Sequence, residues 1–308
     1  MYSSAKKRYL QFCKDKSLSP LPAPEQQLCQ FVSSLAIQSL CHNTIKSYLA
    51  AIRHLHIAEG YGDPHIHTMA RLEQVLKGIK IVQSKGPKKR ERLPITPNHL
   101  AKLKEVWSSG LSKFDGQMLF AAASLCFFGF MRSGELTIPS ATSYDEGAHL
   151  SFNDVAVDCM HNPRILRVYL KASKTDPFRV GVHIYVGRTG NTLCPVIAVL
   201  HYMVARGRGS GPFFKFENGT PLTRMKFVDK VKEALSLAGV DCTAYSGHSF
   251  RIGAATTAAE RGISDATIKM LGRWKSSAYQ VYIKTPREQL ASYSSRLGNT
   301  IHNKDNSQ

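Results

Sequence analysis

Acidic residues are scarce in this 308-residue chain: 22 Asp and Glu stand against 41 Lys and Arg, a formal net charge of +19 with a pI near 9.7. A folded chain so unbalanced carries the electrostatic footprint of a polyanion binder, and nucleic acid leads as partner on charge alone. Long apolar runs are missing too. The nearest, Leu119–Met131, is interrupted by Ser124 and Gly129 and falls short of the ~18 residues a membrane helix needs. The opening MYSSAKKRYL has no apolar core of a secretory signal, so a soluble intracellular chain with no membrane partner is expected. Seven cysteines (13, 29, 41, 126, 159, 194 and 242) are odd in number and never spaced as CxxC, which argues against a disulfide framework or a zinc site. His54, His56, His65 and His67 cluster, but their i, i+2 pairs do not share a helical face and no cysteine or carboxylate set completes a metal site. P-loop, dinucleotide and GxSxG fingerprints are also lacking.

What is present divides the chain in two. Residues 1–84 read as four short helices forming a bundle. They are Ser3–Lys14, one opened by Pro24, one capped by Asn43 with Ile45, Leu49, Ile52 and Leu55 inward, and one from Thr68 to Val82. Residues 85–94, KGPKKRERLP, cannot pack a core and read as a basic linker: a strap along phosphates, a nuclear-import signal, or simply a solvated loop. A second domain, 95–297, opens with Thr96 as cap and Pro97 at the first helical position. Asp115 is the expected cap of a central apolar helix, Gly116–Phe130. Three β-branched segments between 150 and 187 make a small antiparallel sheet. Helical patterns then return at Pro195–Arg206, Thr223–Ala238, His248–Glu260, Ser264–Leu271 and Ser277–Lys284, with Gly239, Gly262 and Gly272 as C-cap glycines. Residues 298–308 are polar and expected to be disordered.

Four features stand apart. FFGFMRSGEL sends Arg132 out of an apolar segment with Glu135 three residues on, either an anion ligand or a structural ion pair. KASKTDPFR puts Lys171, Lys174 and Arg179 around a hairpin turn, where lysines are most often merely solvated. GHSFRIGAA places His248 and Arg251 i, i+3 at a helix start, which also offers free N–H groups to phosphate. LGRWKSSAYQVYIK carries Trp274, then Tyr279 and Tyr282 at helical spacing, a pattern more common in packing than in nucleophiles.

Taken in order (Arg, hairpin Lys, HxxR, Trp, Tyr), these residues resemble the tyrosine recombinases, the phage-integrase-type site-specific recombinases. The resemblance covers nearly the whole chain and is most specific over GHSFRIGAATTAAERGISDATIKMLGRWKSSAYQVYI. Pairing GRW with YI, and KTDPFR in the hairpin, looks most like recombinases of eukaryotic mobile elements of the Crypton and DIRS/Ngaro types.

The resemblance implies a mainly α fold with a small antiparallel sheet. A helical, SAM-like core-binding domain and an α+β catalytic domain would close as a C-shaped clamp on double-stranded DNA. It implies cutting and rejoining through a 3′-phosphotyrosyl intermediate and a Holliday junction, by a homotetramer on paired sites (monomer or dimer off DNA), with no cofactor and no metal. Arg132 and Arg251 would clamp the scissile phosphate, Lys174 would protonate the leaving 5′-oxygen, His248 would assist proton transfer and Tyr282 would attack, supported by Glu135. The family commonly has histidine or tryptophan nine residues before the tyrosine. Here Arg273 stands there and Trp274 follows, so Trp274 is assigned that role and Arg273 becomes a phosphate contact or a surface residue. Tyr279 is the rival nucleophile, set aside because it falls too close to Trp274. Lys46, Arg53, Lys88, Lys89, Arg90, Arg224 and Lys226 are expected to touch DNA, and residues 287–297 to dock on a neighbouring protomer or pack back on their own domain. Nuclear localisation follows if the source is eukaryotic, otherwise cytoplasm or nucleoid. The rival readings are a type IB topoisomerase-like enzyme, a catalytically silent DNA-binding derivative of a mobile element, and an RNA-binding module. The last lacks an aromatic-stacking motif.

Overall fold

A computed structural model describes residues 3–86, 91–173, 176 and 178–283. It divides into two compact units, Met1–Arg90 and Glu91–Gln308. The linker residues Lys88, Lys89 and Arg90, the hairpin residue Lys174, and the stretch 284–308 lie outside the described residues.

The first unit holds α1 (Ser3–Asp15), α2 (Glu25–Ile37), α3 (His42–Ala58) and α4 (Ala70–Ser84). Tyr9, Leu28, Phe31, Ile45, Leu49, Ile52 and Leu72 recur on one face of their helices and bury together as its core. Helix α3 begins two residues earlier than the sequence suggests: Cys41 holds the N-cap backbone conformation, and Asn43 falls inside the first turn. His56 is buried and accepts the Ala23 N–H at 3.0 Å, so it serves packing in this bundle. No helix of the described residues is long and apolar enough to cross a membrane.

In the second unit, α5 (Pro97–Gly110) opens as expected, with the Thr96 hydroxyl accepting from His99 N–H at 3.3 Å. Helix α6 (Lys113–Phe128) is apolar all round and runs through the core, buried from Met118 to Phe127. Its cap is Ser112, whose hydroxyl accepts the Asp115 N–H at 3.2 Å. Asp115 sits one turn in, where its carboxylate accepts the Glu217 N–H at 2.8 Å. Sequence pattern places the cap late because Lys113 and Asp115 keep the first turn polar, ahead of the continuous apolar run. After the short α7 (Ser133–Leu136) comes an antiparallel sheet in the order β1 (Val155–Val157), β2 (Ile165–Leu170), β3 (Val182–Gly187). Val168 pairs with Val155 on one side and Ile184 on the other. Leu166, Val168 and Leu170 point to the core while Ile165 and Arg167 alternate outward. Helices α8 (Pro195–Arg206), α9 (Arg224–Leu237), α10 (Ser249–Glu260) and α11 (Asp265–Leu271) follow, then a 3₁₀ segment, Ser277–Tyr282. Helix α10 packs on α6 and on the 3₁₀ segment, and so lies between the helix that leads to Arg132 and the segment that carries Tyr282.

Candidate active site

Helix α6 ends at an elbow where Phe130 takes a left-handed φ of 49°, and the chain then delivers Arg132 at the start of α7. The Arg132 guanidinium donates to Glu135 Oε1 at 2.7 Å and its backbone N–H to Oε2 at 2.9 Å. The ion pair that the sequence allows is therefore formed, with the Glu135 side chain only 5% exposed and that of Arg132 22%.

Helix α10 supplies His248 and Arg251, and it can sit deep because Gly253 has no side chain: a Cβ there would lie 1.7 Å from the Ile95 carbonyl oxygen. Arg251 is 1% exposed. One guanidinium nitrogen donates to the Phe130 carbonyl at 2.5 Å and another to the Gly272 carbonyl, while Nε finds no hydrogen-bond partner among the described residues. The indole of Trp274 covers it, with the guanidinium carbon 4.1 Å from the ring centroid. Burial, then the charges of Arg132 and Arg273, push the Arg251 pKa down to about 9, against the pull of Glu135 and Tyr282. It stays cationic at neutral pH.

His248 is half-buried, and its pKa is lowered first by burial and then by the charges of Arg92, Arg224, Arg132 and Arg251. The imidazole is held neutral, the form able to accept a proton. Arg92 belongs to the stretch read from sequence as linker. It is brought here because Leu93 N–H donates to the Ala244 carbonyl and Ile95 N–H to that of Ser249, pinning the chain beside the start of α10. Charge density alone could not reveal this placement.

The 3₁₀ segment brings the two tyrosines. Tyr282 is half-buried, its ring centroid 5.4 Å from that of Trp274, and its carbonyl accepts the Thr256 hydroxyl at 3.1 Å. Tyr279 is 7% exposed and its hydroxyl donates to Asp265 at 3.0 Å, so that phenol is engaged away from the arginines. Gly272 stands at the C-cap of α11 as expected, but with right-handed backbone (φ −80°), and the left-handed residue there is Arg273, at φ 55°. Gly272 is needed because the Trp274 ring rests where its Cβ would be. Arg273 is not a surface residue: its side chain, 15% exposed, donates to Glu135 Oε2 at 2.7 Å and to the Gly129 carbonyl at 3.3 Å.

In the hairpin, Lys171 is committed elsewhere, paired with Asp154 at 2.7 Å and bonded to the Glu146 carbonyl at 2.9 Å. Asp176 has its pKa lowered by Gly181 N–H first and also by the charge of Lys275. Among the expected DNA contacts, Lys46, Arg224 and Lys226 are exposed, and Lys226 lies 5.5 Å over the Phe216 ring. Arg53 is held by Asp63 through Nε at 3.0 Å and a terminal nitrogen at 2.5 Å. A bound carboxylate competes with any phosphate there.

Tyr282, Trp274 and the guanidinium of Arg251 are thus brought together in the second unit, Arg132 and Arg273 share the Glu135 carboxylate, and Arg132 and Arg251 also act on His248. The chain is 26% identical over 278 residues to the integrase/recombinase xerD homolog of Selenomonas ruminantium, covering 86% of this chain and 74% of that one. In sequence it is similar to the integrases and recombinases. No family model matches the chain. Solved structures share the recombinase fold. The Tn1549 transposon integrase in complex with transposon right end DNA is similar with a TM-score of 0.57 at 14% identity, over 96% of this chain and 93% of that one. The XerH site-specific recombinase, in a post-cleavage complex with a palindromic difH substrate, gives 0.56 at 13% identity, over 89% and 70%. A lambda integrase dimer bound to a COC′ core site gives 0.51 at 16%, over 90% and 87%.

Proposed function

We propose that this recombinase homologue cuts and rejoins double-stranded DNA at specific sites, with Tyr282 as nucleophile. The observation that carries the reading is the convergence of Arg92, Arg132, Arg224 and Arg251 on a neutral His248, beside a Tyr282 packed on the Trp274–Arg251 stack. Tyr282 Oη attacks the scissile phosphorus, the new P–O bond replaces the P–O5′ bond, and the 3′-phosphotyrosyl product conserves the bond for rejoining. His248 takes up the phenolic proton, and Lys174 gives one to the departing 5′-oxygen. Arg132 and Arg251 stabilise the charge on the non-bridging oxygens. Because Arg251 bonds two carbonyls under Trp274, the incoming phosphate must win its guanidinium from those weaker, neutral acceptors, which a charge-assisted bond favours.

In this proposal the chain acts as a tetramer on paired sites through a Holliday junction, in the nucleus, on behalf of a eukaryotic mobile element of Crypton or DIRS/Ngaro type. Trapping on a nicked suicide duplex carrying the element's terminal sequence, without metal, tests the chemistry. A covalent protein–DNA band is expected that Tyr282→Phe abolishes and Tyr279→Phe retains. Salt-sensitive binding to the same duplex with no band would instead identify a catalytically silent DNA-binding relative.

A further inference from the structure

Arg273 stands nine residues before Tyr282, and its surroundings assign it a task that rests on its charge and its reach. Its left-handed backbone turns the side chain inward, to Glu135 Oε2 at 2.7 Å and the Gly129 carbonyl at 3.3 Å. Glu135 is thereby shared: Oε1 takes the Arg132 guanidinium at 2.7 Å, and Oε2 takes both the Arg132 N–H at 2.9 Å and Arg273. Arg251 makes a parallel tie, from the Phe130 carbonyl to that of Gly272. Two guanidinia therefore join the elbow at 129–135, which carries Arg132, to the turn at 272–274, from which the Tyr282 segment departs.

Charge decides what this does. A buried carboxylate facing one cation would draw Arg132 wholly to itself and cancel it as an anion ligand. A second guanidinium on the same carboxylate divides that attraction and leaves the cluster of two arginines and one glutamate with a net positive charge.

We infer that Arg273 is a positioning residue that does not meet the phosphate: it neutralises Glu135, freeing the charge of Arg132 for DNA, and it ties that arginine to the nucleophile segment. The inference rests on the proposed strand cleavage for what Arg132 does, and on geometry alone for the Arg273–Glu135 pair.

The test is single-turnover cleavage of the suicide duplex by the full chain, with Arg273→Met, Glu135→Gln and the double variant. Arg273→Met keeps bulk and removes charge, leaving Glu135 to hold Arg132, so cleavage should slow by about ten-fold or more. Adding Glu135→Gln removes the charge that needed neutralising. The double variant should return to within about three-fold of Glu135→Gln alone, a coupling that mere loss of packing would not produce. Additive effects of the two substitutions would overturn the inference. Absence of cleavage by the unsubstituted chain would count against the proposed function and not against the pair. The same cycle is then read in urea unfolding, where the two substitutions should be coupled by about ten-fold in the unfolding constant and additivity refutes the pair.

Discussion

Gly272→Ala tests the Trp274 stack with a single methyl group. The backbone of Gly272 is right-handed (φ −80°, ψ −4°), so alanine adopts it without strain. The added Cβ, however, would lie 1.6 Å from Cζ3 and 1.9 Å from Cε3 of the Trp274 indole. No pair of carbons tolerates that distance, so the ring must leave. It then abandons the Arg251 guanidinium at 4.1 Å, the edge of Phe130 at 6.3 Å and the Tyr282 ring at 5.4 Å. A desolvated cation–π contact contributes about 2 kcal/mol and an aromatic pair about 0.5–1.5 kcal/mol, so a loss of about 2–4 kcal/mol is expected. For a unit of this size that is a fall of about 5–15 °C in the unfolding midpoint. The chain's two tryptophans, Trp107 and Trp274, both lie in the second unit, so their fluorescence follows that unit alone. Gly262→Ala is the matched control. It has φ 73° and open space around its Cβ position, and should cost about 1 kcal/mol of backbone strain without moving the indole. A Gly272→Ala protein with an unchanged midpoint and emission spectrum would refute the packing of Trp274 described above, and with it the shielding of Arg251.

The remaining predictions address charge and loop order. His248 has a lowered pKa, so the unfolded chain takes its proton first, near pH ~6.5, and its contribution to stability is complete above that pH and lost as pH falls below it. The acid limb of the cleavage rate should likewise lie below pH ~6.5, and Arg224→Ala, which removes one of the opposing charges, should move it upward; a limb that stays in place or falls contradicts the arrangement around His248. Arg206, 8% exposed, donates to carbonyls of Gly207, Gly209, Ser210, Pro212 and Phe213 and lies 5.4 Å over Phe152. Arg206→Met should destabilise the second unit by about 2–4 kcal/mol in urea unfolding, with duplex affinity retained, and a wild-type midpoint would show that these bonds do not order the loop.

What the sequence made legible is what near neighbours decide. The apolar periods of α2 and α3, the all-round hydrophobicity of α6, the Thr96–Pro97 helix start and the three strands all depend on residues a few positions apart, and the structure places them where the pattern does. Pairing across the chain is another matter. The Glu135–Arg273 bond spans 138 positions and Arg251 reaches Phe130 across 121, and no local period encodes either. The left-handed turn after α11 passed from Gly272 to Arg273 for the same reason: the indole of Trp274 occupies the space beside the glycine. Lys171 and Arg53, candidates on charge alone, are committed to Asp154 and Asp63.

These pairings change what the surplus of arginine means at the site. Arg92, Arg132 and Arg224 act on His248 from positions that are exposed or partly so, whereas Arg251 and Arg273 are spent on backbone carbonyls and on Glu135. The positive field is therefore built in two layers. The outer one can draw a phosphate in over a distance set by ionic strength, since its charges face solvent. The inner one is largely shielded from solvent, and in the proposed cleavage Arg251 meets the phosphate only once it displaces the carbonyls that hold its guanidinium. Duplex affinity should accordingly follow the outer arginines and fall with salt, while the rate of covalent trapping should follow Arg251, Arg273 and Glu135 and change little with salt once the duplex is saturating. A sequence with the same five arginines but without Glu135, Gly272 and Trp274 would have the charge and lack the layering.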